Sequence, residues 1–162
     1  MVNALPSTSF SENMLEAKES GDFFRSSVDQ FPNSGDGFRA CIHLHLYMAL
    51  LNLKLYQFQQ SADFLRAASK LLKERVTQEE EDRNEKHKMY NLRTYAQILM
   101  AKGERHTKMH DHELAFRVMY KAMRVMRVMD QQADPKQQPD KTLWVRYYEQ
   151  MAIAHITQKE LI

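Results

Sequence analysis

One cysteine, four glycines and four prolines stand among 162 residues, and each scarcity removes a class of structure. With Cys41 alone, no intramolecular disulfide can form, which fits a reducing, intracellular compartment. The glycines and prolines fall mostly in short clusters, Pro32-Asn33-Ser34-Gly35-Asp36-Gly37 and Pro135 to Pro139. The long segments between them favour helices over an all-β fold, which needs many turns. A formal charge of +2 announces neither a nucleic-acid binder nor a membrane-surface protein. The most apolar stretch, Ile42 to Leu55, is broken by His43, His45, Asn52 and Lys54. It is also shorter than the roughly 20 apolar residues of a membrane span. The first residues, Met1-Val2-Asn3-Ala4-Leu5-Pro6, lack the basic start and apolar run of a secretory signal. The expectation is an intracellular protein, cytoplasmic or nuclear, with no membrane partner.

What is present is helical periodicity. Ser61, Phe64, Leu65, Ala68, Leu71 and Leu72 follow the i, i+3, i+4, i+7 spacing of one helix face, and Asp63, Arg66, Lys70, Lys73 and Glu74 fall opposite. The pattern recurs 54 residues later, with Ser61 on Ala115, Leu65 on Met119, Ala68 on Ala122 and Leu72 on Met126. A small–large–small series used twice predicts a helical repeat. Residues 1–9 read as a lead-in and 10–31 as an N-terminal helix with the stripe Met14, Ala17, Gly21, Phe24, Val28 and Phe31. Two helical hairpins follow, 37–76 and 88–130, in which a helix near 88–103 precedes a polar connection from Glu104 to His112. A linker at 131–140 leads to a final helix at 141–162, for which Asp140 is the cap and Trp144, Tyr147, Tyr148, Met151 and Ala152 the large face. The fold expected is all-α, one domain of about six helices; an irregular helical bundle is the alternative to a stacked one.

The small–large–small series of 61–68 and 115–122, with Leu46, Ala49, Leu53 and Tyr56 before the first and Ala96, Leu99 and Gly103 before the second, resembles the tetratricopeptide repeat. The spacing of 54 residues departs from that family's 34 or so, and no proline closes either copy. The resemblance covers about 37–130 and implies an α-solenoid fragment that binds a peptide or helix in a groove lined by the first helix of each hairpin. Asn52, Lys54, Asn91, Arg93 and Arg146 lie in first helices, but their spacing does not fit the carboxylate clamp of that family's co-chaperones.

No glycine-rich phosphate loop, Gly-x-Ser-x-Gly or paired carboxylate motif occurs. The expectation is a non-catalytic protein with no cofactor. His106, His110 and His112, near Asp111 and Glu113, are metal-ligand types, but no cysteine or second tight histidine pair supports them, so they read as an exposed polar connection. His43 and His45 are two apart on a helix, about 200° around it, and cannot share an ion. They read as residues that hydrogen-bond locally, and Cys41 lacks the setting of a nucleophile. Candidate partner contacts are Asn52, Tyr56, Phe58, Asn91, Arg93, Tyr95, Trp144, Tyr147 and Tyr148. Arg117, Lys121, Arg124 and Arg127 form a basic stripe, with Arg105 and Lys108 before it. It suits phosphate contacts, the second functional class, although a solvated outer face is the simpler reading. Met109, Met119, Met123, Met126 and Met129 crowd one helix, as core filling or as an adaptable binding face. The expected partner is another protein or peptide, with a homo- or hetero-oligomer through the final helix as a further option.

Overall fold

The computed structural model describes residues 35–79, 85–134, 136 and 140–160. These form five α-helices and no strand: α1 Gly35–Lys54, α2 Phe58–Glu79, α3 Glu85–Lys108, α4 His112–Gln132 and α5 Lys141–Glu160. The lead-in 1–9, the helix expected over 10–31, the prolines of the linker and residues 161–162 lie outside the described residues. No described helix is long and apolar enough to cross a membrane.

The helices pair as α1/α2 and α3/α4, each joined by three residues. Helix α3 rests on both helices of the first pair, and α5 rests on both helices of the second. Two core clusters result. Ile42, Leu46, Ala49, Leu65, Ala68 and Leu72 enclose Ile98 and Ala101 of α3. Ala96, Leu99 and Met100 of α3 join Met119, Ala122, Met126 and Met129 against Leu143 and Tyr147 of α5. Four consecutive residues of α3, Ile98 to Ala101, are thus buried between two layers. That leaves no room for a polar residue there.

Every member of the small–large–small series is buried: Ser61, Leu65 and Ala68 in α2, Ala115, Met119 and Ala122 in α4. The small positions let the paired helix come close. The Ser61 hydroxyl donates to the Ala49 carbonyl at 3.0 Å, so the one polar member is satisfied. At the matching place in the second hairpin is Gly103. A Cβ there would stand 2.6 Å from Met119 Sδ and 2.7 Å from its Cγ.

The correspondence runs through the turns. Backbone bonds from Leu55 N to Leu51 O, Tyr56 N to Leu53 O, Gln57 N to Asn52 O and Ser61 N to Gln57 O recur as Met109 N to Arg105 O, His110 N to Thr107 O, Asp111 N to His106 O and Ala115 N to Asp111 O. The 6→1 and 5→2 bonds make both turns Schellman caps, which need a left-handed residue. Tyr56, at φ 57°, and His110, at φ 60°, fill that position. Neither is glycine, so each turn holds a side chain against the sterics of this region.

Two boundaries differ from expectation. Residues 104–108 are the last turn of α3, and Gly103 is an interior packing position instead of a helix end. Their polarity misleads because Arg105, His106 and Lys108 suit the negative end of a helix dipole. Thr107 bonds back to the Gly103 carbonyl at 3.0 Å. The same helix begins at Glu85, three residues before the expected start at 88. Asp111 caps α4 by accepting from Leu114 N at 3.3 Å, and Asp140 caps α5 through Leu143 N at 3.2 Å, as expected. On the final helix Tyr147 is buried, but Tyr148 and Ala152 are exposed, because α3 and α4 cover only one side of α5.

Two stability outcomes follow, read from urea unfolding. Gly103→Ala lowers stability by about 1 kcal/mol: overpacking of about 1–3 kcal/mol outweighs the gain of about 1 kcal/mol in helix propensity. Combined with Met119→Ala it costs less than the two single changes added, and strict additivity would show that the two residues do not meet. His110→Gly raises stability by about 1 kcal/mol through relief of the left-handed backbone; a loss would mean that the exposed imidazole contributes more than its backbone costs.

Candidate interaction surface

The first helices, α1, α3 and α5, stand side by side, with α3 touching both of the others. Side chains bridge them in sequence. On α1, Arg39 and His43 are one turn apart and both meet Tyr90 of α3. The Arg39 guanidinium lies 4.5 Å from the ring centroid, and the Tyr90 hydroxyl is hydrogen-bonded to His43 Nε2. Three residues on, Arg93 Nε donates to Asp140 Oδ2 at 2.9 Å, which ties α3 to the start of α5. Further along, Gln150 of α5 donates to Glu104 of α3 at 3.2 Å. Asp140 therefore caps a helix with one oxygen and holds a neighbouring helix with the other. Tyr47, one turn beyond His43, is 62% exposed beside this chain of contacts.

Burial and charge set the protonation of this surface. Partial burial, then the nearby Arg93 charge, holds His43 below its ordinary pKa. The neutral imidazole is the form that accepts from a tyrosine hydroxyl. Burial, partly offset by Arg39, raises Tyr90 and keeps its proton in place. At the far end of α3, burial and then Arg105 lower His106.

The residues singled out from the sequence separate into several places. Asn52 is only 2% exposed and donates to the Met48 carbonyl at 2.7 Å, so a role as a surface contact is corrected to a structural one. Asn91 is likewise buried. In a first helix, these positions face packed neighbours. Arg93 lies on the bridged surface but is engaged with Asp140. Tyr56 and Phe58 meet edge to face at 6.1 Å in the first turn, and the end of α3 comes to them. Lys108 Nζ sits 5.2 Å from the Tyr56 ring centroid, and Arg105 Nε donates to the Phe58 carbonyl at 3.0 Å. Arg105 and Lys108 thus serve the first turn instead of extending the basic stripe. Trp144, Tyr147 and Tyr148 form an aromatic cluster with centroids 5.3–5.8 Å apart. Trp144 donates its indole N–H to Asp130 at 2.9 Å, anchoring α5 to the end of α4.

The basic stripe of α4 is exposed as expected. Arg117 pairs with Glu113 at 2.8 Å, and Lys121 Nζ lies 5.7 Å from the ring centroid of half-buried Tyr95. Among the described residues, Arg124 and Arg127 have no carboxylate partner within 4.0 Å. Lys102 of α3 joins them: burial, then the charge of Lys121, lowers its pKa. The histidines do not act together. His106 Nδ1 is 3.9 Å from Asp111, and His110 is exposed. His112 is buried and donates from Nε2 to Thr157 at 3.0 Å, whose own hydroxyl donates to Ile153 O. The reading of this histidine as exposed is corrected, since α5 lies over it. No group of three His, Cys, Asp or Glu among the described residues is placed to hold a metal ion. Cys41 is buried, and His45 donates from Nδ1 to the Cys41 carbonyl at 2.7 Å.

Sequence reasoning passed over Arg39, His43 with Tyr90, Tyr47 and Lys102. Arg39, His43 and Tyr47 follow one another at four-residue spacing, a signal hidden because α1 is apolar around most of its circumference.

The depressed histidines make stability depend on acid. The unfolded imidazoles take up protons near pH 6.5, the folded ones only lower. Their contribution is therefore complete above about pH 6.5 and is lost as the pH falls toward the folded values. The urea midpoint falls with acidification through this range, less steeply in His43→Gln/His106→Gln; an unchanged slope in the double variant contradicts the assignment. No family model, curated protein or solved structure matches this chain.

Proposed function

We propose that the protein is a non-catalytic interaction scaffold, a tetratricopeptide-like α-solenoid fragment of an intracellular complex that binds a partner peptide or helix along its first helices. The observation that carries this reading is the bridged surface. His43 with Tyr90, Arg93 with Asp140 and Glu104 with Gln150 link three helices into one prearranged face. A face whose side chains are already fixed loses less entropy on binding. Exposed Tyr47 supplies the kind of aromatic anchor that dominates interfaces. The second helices support the same reading, because their repeated residues are spent on packing. In a pull-down from cell extract, a protein retained by the chain binds Tyr47→Ala at least about tenfold more weakly. Equal retention by the variant sinks this reading.

A second reading rests on the cations of α4. Lys121, Arg124 and Arg127, with Lys102 beside them, form a basic area without described carboxylates to neutralise them. On this reading the face contacts a nucleic-acid backbone. Affinity for duplex or single-stranded nucleic acid then falls steeply with salt, and Arg117→Glu/Lys121→Glu/Arg124→Glu flattens the slope by about two to three. Salt-independent binding, or binding unchanged in the triple variant, ends it.

A further inference from the structure

The three first helices carry the same face, and among the described residues two of these faces are covered and the third is not. On α1 the face is Ile42, His45, Ala49 and Leu53, all buried where α2 packs. On α3 it is Ala96, Leu99, Gly103 and Thr107, again all buried, where α4 packs. The register of α5 follows from what it buries. Thr94, Ile98 and Ala101 turn α3 toward the first hairpin, and Leu143, Tyr147 and Gln150, at the same spacing, turn α5 toward the second. That alignment, 49 residues on, places the third copy of the face at Val145, Tyr148, Ala152 and Ile156. Here Val145 is 66% exposed, Tyr148 63% and Ile156 58%.

The middle of each face is small: Ala49, Gly103, Ala152. In the second hairpin a large residue enters that notch, since Met119 lies against Gly103. Small residues one turn to either side of it, Ala115 and Ala122, leave room for the flanks of the first helix. The bare face of α5 reads large–small–large at Tyr148, Ala152 and Ile156, and its complement is small–large–small. A second copy of α5 does not supply that complement, because it would set Ala152 on Ala152 and Tyr148 on Ile156. The face is also held in place for a partner. Trp144 is bonded to Asp130, the tilted rings of Phe116 and His155 meet with centroids 4.5 Å apart, and Thr157 is bonded to His112.

We propose that α5 is a docking helix for an amphipathic helix of another protein, antiparallel to α5 and bearing small–large–small residues at i, i+4, i+7, which completes a third hairpin. This rests on the repeat architecture of the proposed scaffold but uses a surface separate from Tyr47. The probes are two synthetic peptides on one Glu/Lys helical background, one with Ala-x3-Leu-x2-Ala and one with Leu and Ala exchanged. Fluorescence anisotropy on the full chain is expected to show at least about tenfold tighter binding of the first. Amide signals of Val145, Tyr148, Ala152 and Ile156 shift on binding. Ala152→Leu fills the notch at an exposed position and weakens binding about tenfold or more with thermal unfolding unchanged, Tyr148→Lys weakens it too, and Tyr47→Ala has no effect. Equal binding of the two peptides, absence of saturation up to about 1 mM, or indifference to Ala152→Leu overturns the proposal. So does a dimer in light scattering that Ala152→Leu dissolves, or protection of this face by residues 1–34 of the same chain. Loss of partner capture by Tyr47→Ala together with equal peptide binding would leave the scaffold reading standing and remove this one.

Discussion

Close approach between paired helices is the constraint on which the rest of the structure depends. Ser61 and Ala49 in one hairpin, Ala115 and Gly103 in the other, bring two backbones near enough for a hydroxyl to reach a carbonyl or a methionine to lie on a glycine. Once the helices are that close, Leu65 and Met119 project past the first helix into the next layer. The apolar side chains then find partners on both sides, and the burial of Leu65, Met119 and Met126 supplies the free energy that isolated amphipathic helices lack.

The turns obey the hairpin and not their own preferences. A Schellman cap asks for glycine at its left-handed residue, and this chain places a tyrosine and a histidine there. At the first turn the side chain is put to use, since Tyr56 takes Lys108 on its face and Phe58 on its edge. That contact joins the first turn to the end of α3, so the two hairpins are held at their turns as well as through their cores. At the opposite side Asp140 holds Arg93 of α3 and caps α5.

Much of the fold was legible because burial in this chain is periodic. The helix at 61–72, its copy 54 residues on and the cap at Asp140 all follow from spacing alone. The end of α3 was not, because Glu104 to Lys108 have the composition of a loop and the position of a last helical turn. The surface was less legible than the core. Asn52 and Asn91 look like binding residues by type, yet each sits on a packed side, and Asn52 spends its amide on a backbone carbonyl. Arg105 was misread for a related reason. Long or aromatic side chains carry a polar tip on an apolar body, so they are drawn into the seams between helices and meet a neighbour there. What no spacing rule reveals is a pair such as His43 and Tyr90, which become neighbours only after α3 is laid on α1.

The circumference of α3 shows why so little of this helix is left uncovered. At about 100° per residue, Ile98 points to the first hairpin, Leu99 and Gly103 to α4, and Met100 to α5. Three neighbours thus occupy most of the helix. What is left on one side is the row from Tyr90 and Arg93 through Gln97 to Glu104, and on the other the half-buried Lys102 and Tyr95. The first row is knitted to its neighbours by hydrogen bonds and an ion pair of modest individual worth. Those bonds orient side chains more than they stabilise the fold. On the other side Lys102 and Tyr95 meet Lys121 of α4, held there by helices whose packing was settled elsewhere. Among the described helices α5 packs only against α3 and α4, and it carries apolar residues on a side where α3 has none free. The free surface is whatever packing leaves over, and this chain has filled it with different chemistry: a polar, prearranged row, a cationic side, and an apolar, notched face on α5.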